Sequence, residues 1–485
     1  MLSLMCCMSR VTRMLRQSGA MALAALALAQ LATPAVAGEF SPPLPLPTPE
    51  GEGWTLAVSD RGEAVAVSES GEEEWCAGWP RPPLGRLVLL RILPSGRIEP
   101  VQSAAVPGFF HYDGRPTAAV DDQGRVAVGL SFEDGTSPSG CEYHDSDCCR
   151  AVAFATATAT RGPVVQVLRP RRSEIEGLGT DPLEVPEVAL QHGRLTVVWP
   201  QGRGEGIDER VDLEQAAGPF GAPIKTAVLA TVPGSAEDLT LVGTPTPFLG
   251  WISDRLLGDG RTTSRVYGVA GTKRGLLTRH QPSRDPVGFG DAVFGTFATD
   301  AQGSVAFVYS MSREFAANAG SIMMLTSTGG RRFSAPRTIA HVVEGHGAFV
   351  MGDHGRALLL WQDEAGRTFA LRGTARGRFG KWQYVGRQGP VLPEFDHAGT
   401  FIDSKGRAVV VYNRSAPSPA HPAEAVVASG AWGHSFSRPR RLGPRGCRYG
   451  PVQEDTSTLA VSPDGHALIP LECAHERMYV VRYAP

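Results

Sequence analysis

The sequence lacks an excess of charge of either sign, and it lacks the signatures of the common enzyme classes. Its 47 basic and 49 acidic residues give a formal net charge of −2, which leaves no overall basic field for nucleic acid or an anionic membrane. It contains no His-Glu-x-x-His, Gly-x-Ser-x-Gly, P-loop or dinucleotide fingerprint, so nothing points to those chemistries. We therefore expect no nucleic-acid partner, no metal and no cofactor.

Long apolar runs are also lacking beyond the N-terminus. Three arginines precede an Ala/Leu-rich stretch, Met21–Leu31, and the small-residue sequence Ala35-Val36-Ala37 follows it. This order is typical of a secretory signal peptide, and the apolar stretch is too short to span a bilayer. We predict a signal peptide over residues 1–37 and one domain over residues 38–485. The expected location is secreted or periplasmic, with no membrane span after cleavage.

Cysteine is scarce, with eight in 485 residues. Two of the eight, Cys6 and Cys7, lie within the predicted signal peptide. The remaining number is even and includes no Cys-x-x-Cys pair, which favours disulfides over a metal site in an exported chain. These six residues are Cys76, Cys141, Cys148, Cys149, Cys447 and Cys473.

An internal repeat dominates what is present. The first copy, Leu56–Val67, consists of a few apolar residues, an Asp, a Gly and a second apolar run. The pattern returns around Gly124, Gly193, Gly303, Gly355, Gly406 and Gly465. A degenerate copy, called the worn copy below, lies near Trp251. Successive glycines lie 51 to 69 residues apart, except for one interval of 110 that spans the worn copy. A repeat of this length determines the fold.

Each repeat unit has room for four short strands. The second strand, such as 407–412, is apolar throughout, which indicates burial on both faces. Four strands and their turns fit the blade of a β-propeller. We therefore predict an all-β fold, a propeller of eight four-stranded antiparallel blades. Seven blades would result if the worn copy were an insertion.

The ring is expected to close by a strand exchange. Phe-Ser/Gly-x-Pro begins at Phe220, Phe333 and Phe436 in the predicted fourth strands, where Pro indicates a free outer edge. The last unit lacks a fourth strand, and the same signature begins at Phe40, just after the signal peptide. We predict that residues 40–46 supply the outer strand of the eighth blade. The alternative is a Pro-rich linker.

The lengths of the connections predict two unlike faces. The first-to-second and third-to-fourth turns are short, whereas the other connections are long and variable, so the variable loops should share one face. The repeated Asp could cap its turn or bind calcium, and one carboxylate per turn favours capping. His144-Asp145-Ser146-Asp147 is a better local cation candidate than the turns, although its cysteine-rich segment equally suits a solvated polar loop.

The six cysteines all fall on the variable loop face. Cys447 and Cys473 flank a hairpin of the last unit whose ends return to one place, so we predict that they pair. Cys141 is expected to pair with Cys148 or Cys149, and the remaining cysteine with Cys76.

Four arginines on the same side could recognise a carboxylate or phosphate. They are Arg169, Arg171, Arg172 and Arg203.

The Asp-x-Gly turns and Phe-Ser-x-Pro strands resemble those of secreted bacterial β-propeller repeat proteins, which include sialidase-like folds. The turns at Asp60 and Asp464 depart from the sialidase Ser/Thr-x-Asp-x-Gly-x-Thr-Trp spacing, and the Arg-Ile-Pro segment of that family is absent. The resemblance therefore implies the fold and transfers no catalytic residue. The leading hypothesis is a monomeric scaffold that binds a protein or glycan on its loop face. The alternative is a sialidase-like glycoside hydrolase acting at the axial mouth of that face.

Overall fold

Every copy of the repeat forms an antiparallel sheet of its own in the computed structural model of the chain. The structure describes residues 38–47, 54–70, 85–108, 110, 116–133, 150–168, 186–203, 210–233, 236–242, 247–256, 262–270, 295–300, 302–312, 320–329, 333–342, 345–363, 365–387, 398–414, 424–450, 459–473 and 477–485. The stretch from Phe40 to Ala484 makes one compact unit.

The strands of the first four blades follow one another in chain order. Blade 1 contains β3 (Thr55–Val58), β4 (Ala64–Ser70), β5 (Arg86–Ile92) and β6 (Gln102–Ala105). Blade 2 contains β7 (Thr117–Val120), β8 (Val126–Glu133), β9 (Arg150–Ala157) and β10 (Val164–Leu168). Blade 3 contains β11 (Glu187–Gln191), β12 (Arg194–Arg203), β13 (Arg210–Pro219) and β14 (Lys225–Pro233). Blade 4 contains β15 (Glu237–Val242), β16 (Phe248–Leu256) and β17 (Thr262–Ala270).

The second half repeats this order. Blade 5 contains β18 (Gly295–Thr299), β19 (Ser304–Ser312), β20 (Gly320–Thr328) and β21 (Arg337–Val342). Blade 6 contains β22 (Gly345–Gly352), a 3₁₀ turn (Asp353–Gly355), β23 (Arg356–Asp363), β24 (Arg367–Thr374) and β25 (Gln383–Arg387). Blade 7 contains β26 (Gly399–Ile402), β27 (Arg407–Arg414), β28 (Glu424–Ala431) and β29 (Arg440–Arg441). Blade 8 contains β30 (Arg448–Tyr449), β31 (Ala460–Val461), β32 (Ala467–Cys473), β33 (Arg477–Ala484) and the N-terminal β1 (Glu39–Phe40) and β2 (Leu44–Pro45).

Eight sheets of this kind make an eight-bladed β-propeller, as the repeat predicts. Within blades 1 to 7 every described strand pairs with the next one along the chain, so the order across the sheet follows the sequence. In blade 8 both β30 and β31 pair with β32, and β33 pairs with β1 and β2. The worn copy forms blade 4, where Trp251 stacks on Tyr267 with ring centroids 5.3 Å apart. Three strands of this blade are described, and the residues that follow them lie outside the described ranges.

The second strands carry the core because both of their faces meet a neighbouring blade. Every residue of β4 is buried, and β27 is buried from its first residue to the last but one. The faces of blades 7 and 8 share one apolar cluster, which includes Val411, Val427 and Ile469. Full burial of such a side chain stabilises the fold by about 1.5–3 kcal/mol. The continuous apolar runs in the sequence therefore correspond to strands held between two blades.

The N-terminus closes the ring as predicted. Leu44 and Pro45 of β2 pair with Val480 and Tyr479 of β33, antiparallel. Backbone hydrogen bonds on either side of β2 continue the edge, with the Ser41 amide donating to the Arg482 carbonyl at 2.8 Å. The outer strand of the last blade thus comes from the other end of the domain, and the linker interpretation is wrong.

The Phe-Ser-x-Pro signature lies at the start of the outer strand rather than along it. The amide of Ser437 donates to the Ser429 carbonyl at 2.7 Å, and the Ser429 amide donates back to the Ser437 hydroxyl at 3.1 Å. Ser334 forms the same two bonds with Thr326. The serine hydroxyl thus replaces the backbone carbonyl that would normally accept the ladder bond. This explains why Ser precedes the proline in the signature.

No helix among the described residues is long and apolar enough to cross a membrane.

Candidate functional site

In blades 2, 5 and 7 the aspartate of the repeat caps the first-to-second turn, as the repeated Asp predicts. Asp121 Oδ1 accepts from the amides of Gln123 and Arg125, both at 3.0 Å. Asp403 Oδ1 accepts from the Arg407 amide at 2.7 Å, and its turn ends at Gly406, whose φ is +76°. Glycine adopts this conformation without steric penalty. The carboxylates therefore serve the turns, and the described residues include no cluster of three or more His, Cys, Asp or Glu that could hold a metal.

In blades 1 and 8 a serine, Ser59 or Ser462, replaces the aspartate that stands three residues before the glycine in blades 2, 5 and 7. Ser462 Oγ accepts from the His466 amide at 3.1 Å. Asp60 is therefore displaced outward, where its Oδ1 accepts from the Asp464 amide at 3.1 Å. Burial, and then the nearby charges of Asp464 and Asp122, raise the pKa of Asp60 above its ordinary value. The Asp in these two copies does not cap its own turn.

Arginines clamp neighbouring blades together on this face. The buried Arg91 of blade 1 donates from Nη2 to the carbonyl of Gly124 in blade 2 at 2.6 Å. Arg482 of blade 8 donates in the same way to the Gly62 carbonyl of blade 1 at 3.0 Å. In each case an arginine of one blade satisfies a turn carbonyl of the next. Partial burial correspondingly lowers the pKa of Arg482 from its ordinary value.

A further clamp joins blades 6 and 7. Arg372 donates to the carbonyls of Gly430 and His434. Its guanidinium lies 4.2 Å from the ring centroid of Phe436 and 5.8 Å from that of Trp432. A cation over an aromatic face adds about 0.5–2 kcal/mol. The turn face is therefore built mainly for joining blades.

The opposite, loop-bearing face has a different device, a buried polar residue at or near the end of the second strand. Most blades have one, although it lies outside the repeated Asp and Gly positions of the motif. The set is Glu69, Ser131, Gln201, Ser253, Ser310, Asn413 and Glu472, each at most 7% exposed. The signal in the sequence is the polar residue that ends each apolar run.

In blade 7 this polar residue fixes a connection of the loop face. Asn413 Nδ2 donates to the Tyr449 carbonyl at 2.8 Å, and the Tyr449 amide donates to Asn413 Oδ1 at 2.6 Å. The other end of the connection is held by Ala425, whose carbonyl accepts from the Leu442 amide at 2.9 Å. The Ala425 amide also donates to the Cys447 carbonyl at 2.8 Å. We call residues 442–450 the seam loop, because it leads from blade 7 into blade 8.

The seam loop also carries a disulfide. Cys447 is bonded to Cys473, and their Cα atoms lie 4.0 Å apart. The predicted pairing is therefore confirmed. Cys447 is 1% exposed, and Arg448 next to it pairs with Glu472 at 2.9 Å. The loop is thus covalently fixed to the end of β32.

Arginines surround the seam loop. Arg414 and Arg441 share Glu424, with nitrogen–oxygen distances of 3.1 and 3.8 Å. Arg445, at the tip of the loop, is exposed and forms no ion pair with any described acidic residue. Arginine forks match carboxylates and phosphates. The arrangement can therefore hold an anionic group against a rigid loop.

The other residues predicted to form a site fall mainly outside the described ranges. Of the arginines, Arg203 ends strand β12, on the loop-bearing side as expected. Seven further residues named from the sequence lie outside the described residues, together with the 144–147 segment. They are Cys76, Cys141, Cys148, Cys149, Arg169, Arg171 and Arg172.

Comparisons with known proteins give no family. No protein-family model matches the chain, and no curated protein matches it. Among solved structures, an S511A mutant of puromycin hydrolase in complex with PGG matches at 15% identity and a TM-score of 0.44, over 89% of this chain and 61% of that one. A Trypanosoma rangeli sialidase in complex with 2,3-difluorosialic acid matches at 10% identity and a TM-score of 0.32, over 81% of this chain and 55% of that one. The chain thus spans about three fifths of the length of the hydrolase.

Proposed function

We propose that this protein is an exported, monomeric propeller that binds a protein or glycan on its loop face without transforming it. The observation that carries the proposal is the seam loop, which a disulfide, two Asn413 hydrogen bonds and the Arg448–Glu472 ion pair hold in one shape. Loops that are fixed before binding lose little conformational entropy when a ligand arrives. A rigid loop on a closed ring is therefore suited to recognition.

Export is supported by the signal-like N-terminus and by the disulfide, because disulfides persist in oxidising compartments. The chemistry of the seam favours an anionic group on the ligand. Arg445 is the member of the cation set with no described acidic partner, whereas the charges of Arg414, Arg441 and Arg448 are partly neutralised by carboxylates. We extend the same proposal to Arg169, Arg171, Arg172 and Arg203, which the sequence assigns to the same side.

Two measurements on the chain without residues 1–37 test the proposal. The first is binding to an immobilised array of acidic and neutral glycans, with Arg445→Glu as the variant and Arg161→Glu, an exposed turn position in blade 2, as the matched control. We expect binding that falls about tenfold in the first variant and is unchanged in the second. The second is release of the aglycone from chromogenic sialosides and other glycosides.

Turnover of any of these glycosides, above the background of a heat-denatured sample, would show a hydrolase and contradict the binding role. Equal array binding by both variants would contradict the assignment to the seam. The double variant Cys447→Ser/Cys473→Ser separates rigidity from charge, because it leaves every arginine in place. It should bind more weakly than the wild type at a temperature where both are folded.

A further inference from the structure

Positive charge is concentrated on the outer part of blade 6, although the whole chain is almost neutral. The third strand, fourth strand and intervening turn of this blade span residues 366–387, which include six basic residues and no acidic one. The corresponding segment of blade 3, residues 210–233, has two of each sign. The net charge of −2 therefore conceals a local excess. Charge of one sign on one edge attracts a partner of the opposite sign.

Four of these six basic residues are exposed and have no described acidic partner. Arg372 is buried in the clamp to blade 7, and Arg367 pairs with Asp363 at 2.7 Å. The other four are Arg376, Arg378, Lys381 and Arg387. The unneutralised charge thus lies at the turn end and at the loop end of β25.

Between these ends lies a row of aromatic rings. The ring of Phe369 lies 6.5 Å from Trp382 and 5.8 Å from Tyr384, both in edge-to-face geometry. Tyr384 is 59% exposed, the highest value among the large hydrophobic side chains of the described residues. Rings packed on one another keep a fixed orientation, so the outermost presents a rigid apolar surface. We call Arg367, Phe369, Trp382, Tyr384 and Arg387 the blade 6 strip.

The register of the strip places two arginines directly opposite each other. Arg367 of β24 pairs with Arg387 of β25. Like charges in this position destabilise a sheet. Asp363 compensates Arg367, whose guanidinium also lies 5.8 Å from the Phe369 centroid. Arg387 has no such compensation among the described residues, and an external anion would supply it.

We propose that the blade 6 strip binds an acidic polysaccharide. A sugar ring would pack its apolar face on Tyr384 and Trp382, and carboxylates along the polymer would pair with Arg387 at one end and with Lys381 or Arg378 at the other. From Lys381 to Arg387 an extended strand covers about 20 Å. The strip therefore fits an oligomer rather than a single sugar.

Two features favour this polymer over nucleic acid or a membrane surface. The Cys447–Cys473 disulfide is typical of an oxidising, exported environment, where polysaccharides are accessible. A membrane-binding surface would require several apolar side chains to insert, whereas Tyr384 is the one highly exposed large apolar side chain of the strip. This site is separate from the seam loop, so either proposal can fail alone.

The test uses the chain without residues 1–37 and oligomers of galacturonic acid, with the fully methyl-esterified oligomer as the uncharged control. We expect the acid form to bind at least about tenfold more tightly than the ester, and the binding to weaken when salt is raised from about 50 to about 300 mM. Binding should fall about tenfold in Arg387→Glu and in Tyr384→Ala, because each removes an anchor. Tyr384→Phe keeps the ring and should bind like the wild type.

Matched controls are Arg161→Glu and Val101→Ala, which change exposed residues at the edges of blades 2 and 1. Both should bind like the wild type, and all five variants should melt within about 2 °C of it, because surface changes alter stability little. Equal affinity for acid and ester, or binding that survives both strip variants, would overturn the proposal. So would tighter binding to single-stranded DNA or to vesicles with anionic lipid, each of which would assign the strip to another partner. Failure to bind the acid oligomer at all would also overturn it.

Discussion

The hydroxyl of Tyr483 donates a hydrogen bond to Asp403 Oδ2 at 2.6 Å, joining residues 80 positions apart in neighbouring blades. The same carboxylate caps its own turn through the Arg407 amide and accepts from Arg407 Nε at 3.0 Å. Asp403 is fully buried, so every one of these bonds is formed away from solvent. The turn cap of blade 7 is therefore also an anchor for the last strand of blade 8.

The first prediction concerns this anchor. Tyr483→Phe removes one donor from a buried carboxylate and should lower the free energy of unfolding by about 1.5–3 kcal/mol. Tyr479→Phe in the same strand is the matched control, because no hydrogen bond of its hydroxyl is described. Urea unfolding of the two variants measures the difference. Equal midpoints would show that the bond contributes nothing.

Closure of the ring gives the second prediction. Deleting residues 38–48 removes β1 and β2 and leaves the edge of β33 unpaired. The melting temperature should fall sharply, and the exposed edge should promote aggregation. Calorimetry and light scattering on the truncated chain check this. Ser41→Ala, which removes only the hydroxyl that accepts from the Arg482 amide at 3.0 Å, should have a smaller effect of about 1 kcal/mol. An unchanged melting curve for the deletion would contradict closure by this segment.

The third prediction concerns the Cys447–Cys473 disulfide. The bond closes a loop with a sequence separation of 26 and should contribute about 3 kcal/mol, chiefly by restricting the unfolded chain. Cys447→Ser/Cys473→Ser should therefore melt lower than the wild type, and reduction of the wild type should remove most of the difference. Peptide mapping of the unreduced protein should recover the two cysteines in one linked fragment. Finding either with another partner would refute the pairing.

The fourth prediction concerns Asp60 and pH. Burial raises the pKa of Asp60 in the folded protein above the unfolded value of 3.8. The folded state therefore binds the Asp60 proton more tightly than the unfolded state does. The stability that protonated Asp60 contributes is fully present below the unfolded pKa and is lost as the pH rises through the folded pKa. Asp60→Asn should stabilise the protein at pH 7 by about 0.5 kcal/mol, and the gain should vanish below the unfolded pKa. Asparagine keeps the oxygen that accepts from the Asp464 amide.

Asp121→Asn is the control for that prediction. It removes the carboxylate charge that compensates Arg125 in the first-to-second turn of blade 2, which corresponds to the Asp60 turn of blade 1. Its effect at pH 7 should have the opposite sign. Thermal melts of both variants from about pH 3 to pH 8 separate the two cases. A stabilisation by Asp60→Asn that persists at the acid end would show a cause other than ionisation.

The sequence predicts the fold well because its signals are local and repeated. An apolar run after Gly406 is enough to place a buried strand, and a proline after Phe436 is enough to mark an outer edge. The Phe40 signature then identified the missing strand of blade 8, which no single unit could have indicated. The Cys447–Cys473 pairing followed from the geometry of a hairpin. These inferences required only the alignment of the repeat units with one another, and no knowledge of side-chain positions.

The candidate sites could be predicted less well, because they depend on contacts between blades. Nothing in the sequence distinguishes Arg372, which is buried against Phe436, from Arg378, which is exposed. The sequence pattern assigns the cap of Ser462 to Asp464, because a two-residue shift of the capping position cannot be detected without the backbone. The basic segment 366–387 is contiguous, however, and a local charge count would have found it. Averaging the charge over the whole chain concealed it.

The pairing of Ser41 with Arg482 also determines when the propeller ring can close during folding. The outer strand of blade 8 precedes blades 1 to 7 in the chain, yet its partner strand follows them, and the two hydrogen-bonded residues are 441 positions apart. Every other blade is built from neighbouring segments and can form as its own residues become available, whereas the first strand has to wait. Contacts of such long range form slowly. The final pairing can therefore form only when all eight blades are present. A chain interrupted at any blade would keep a free strand edge, which proteases and chaperones can recognise.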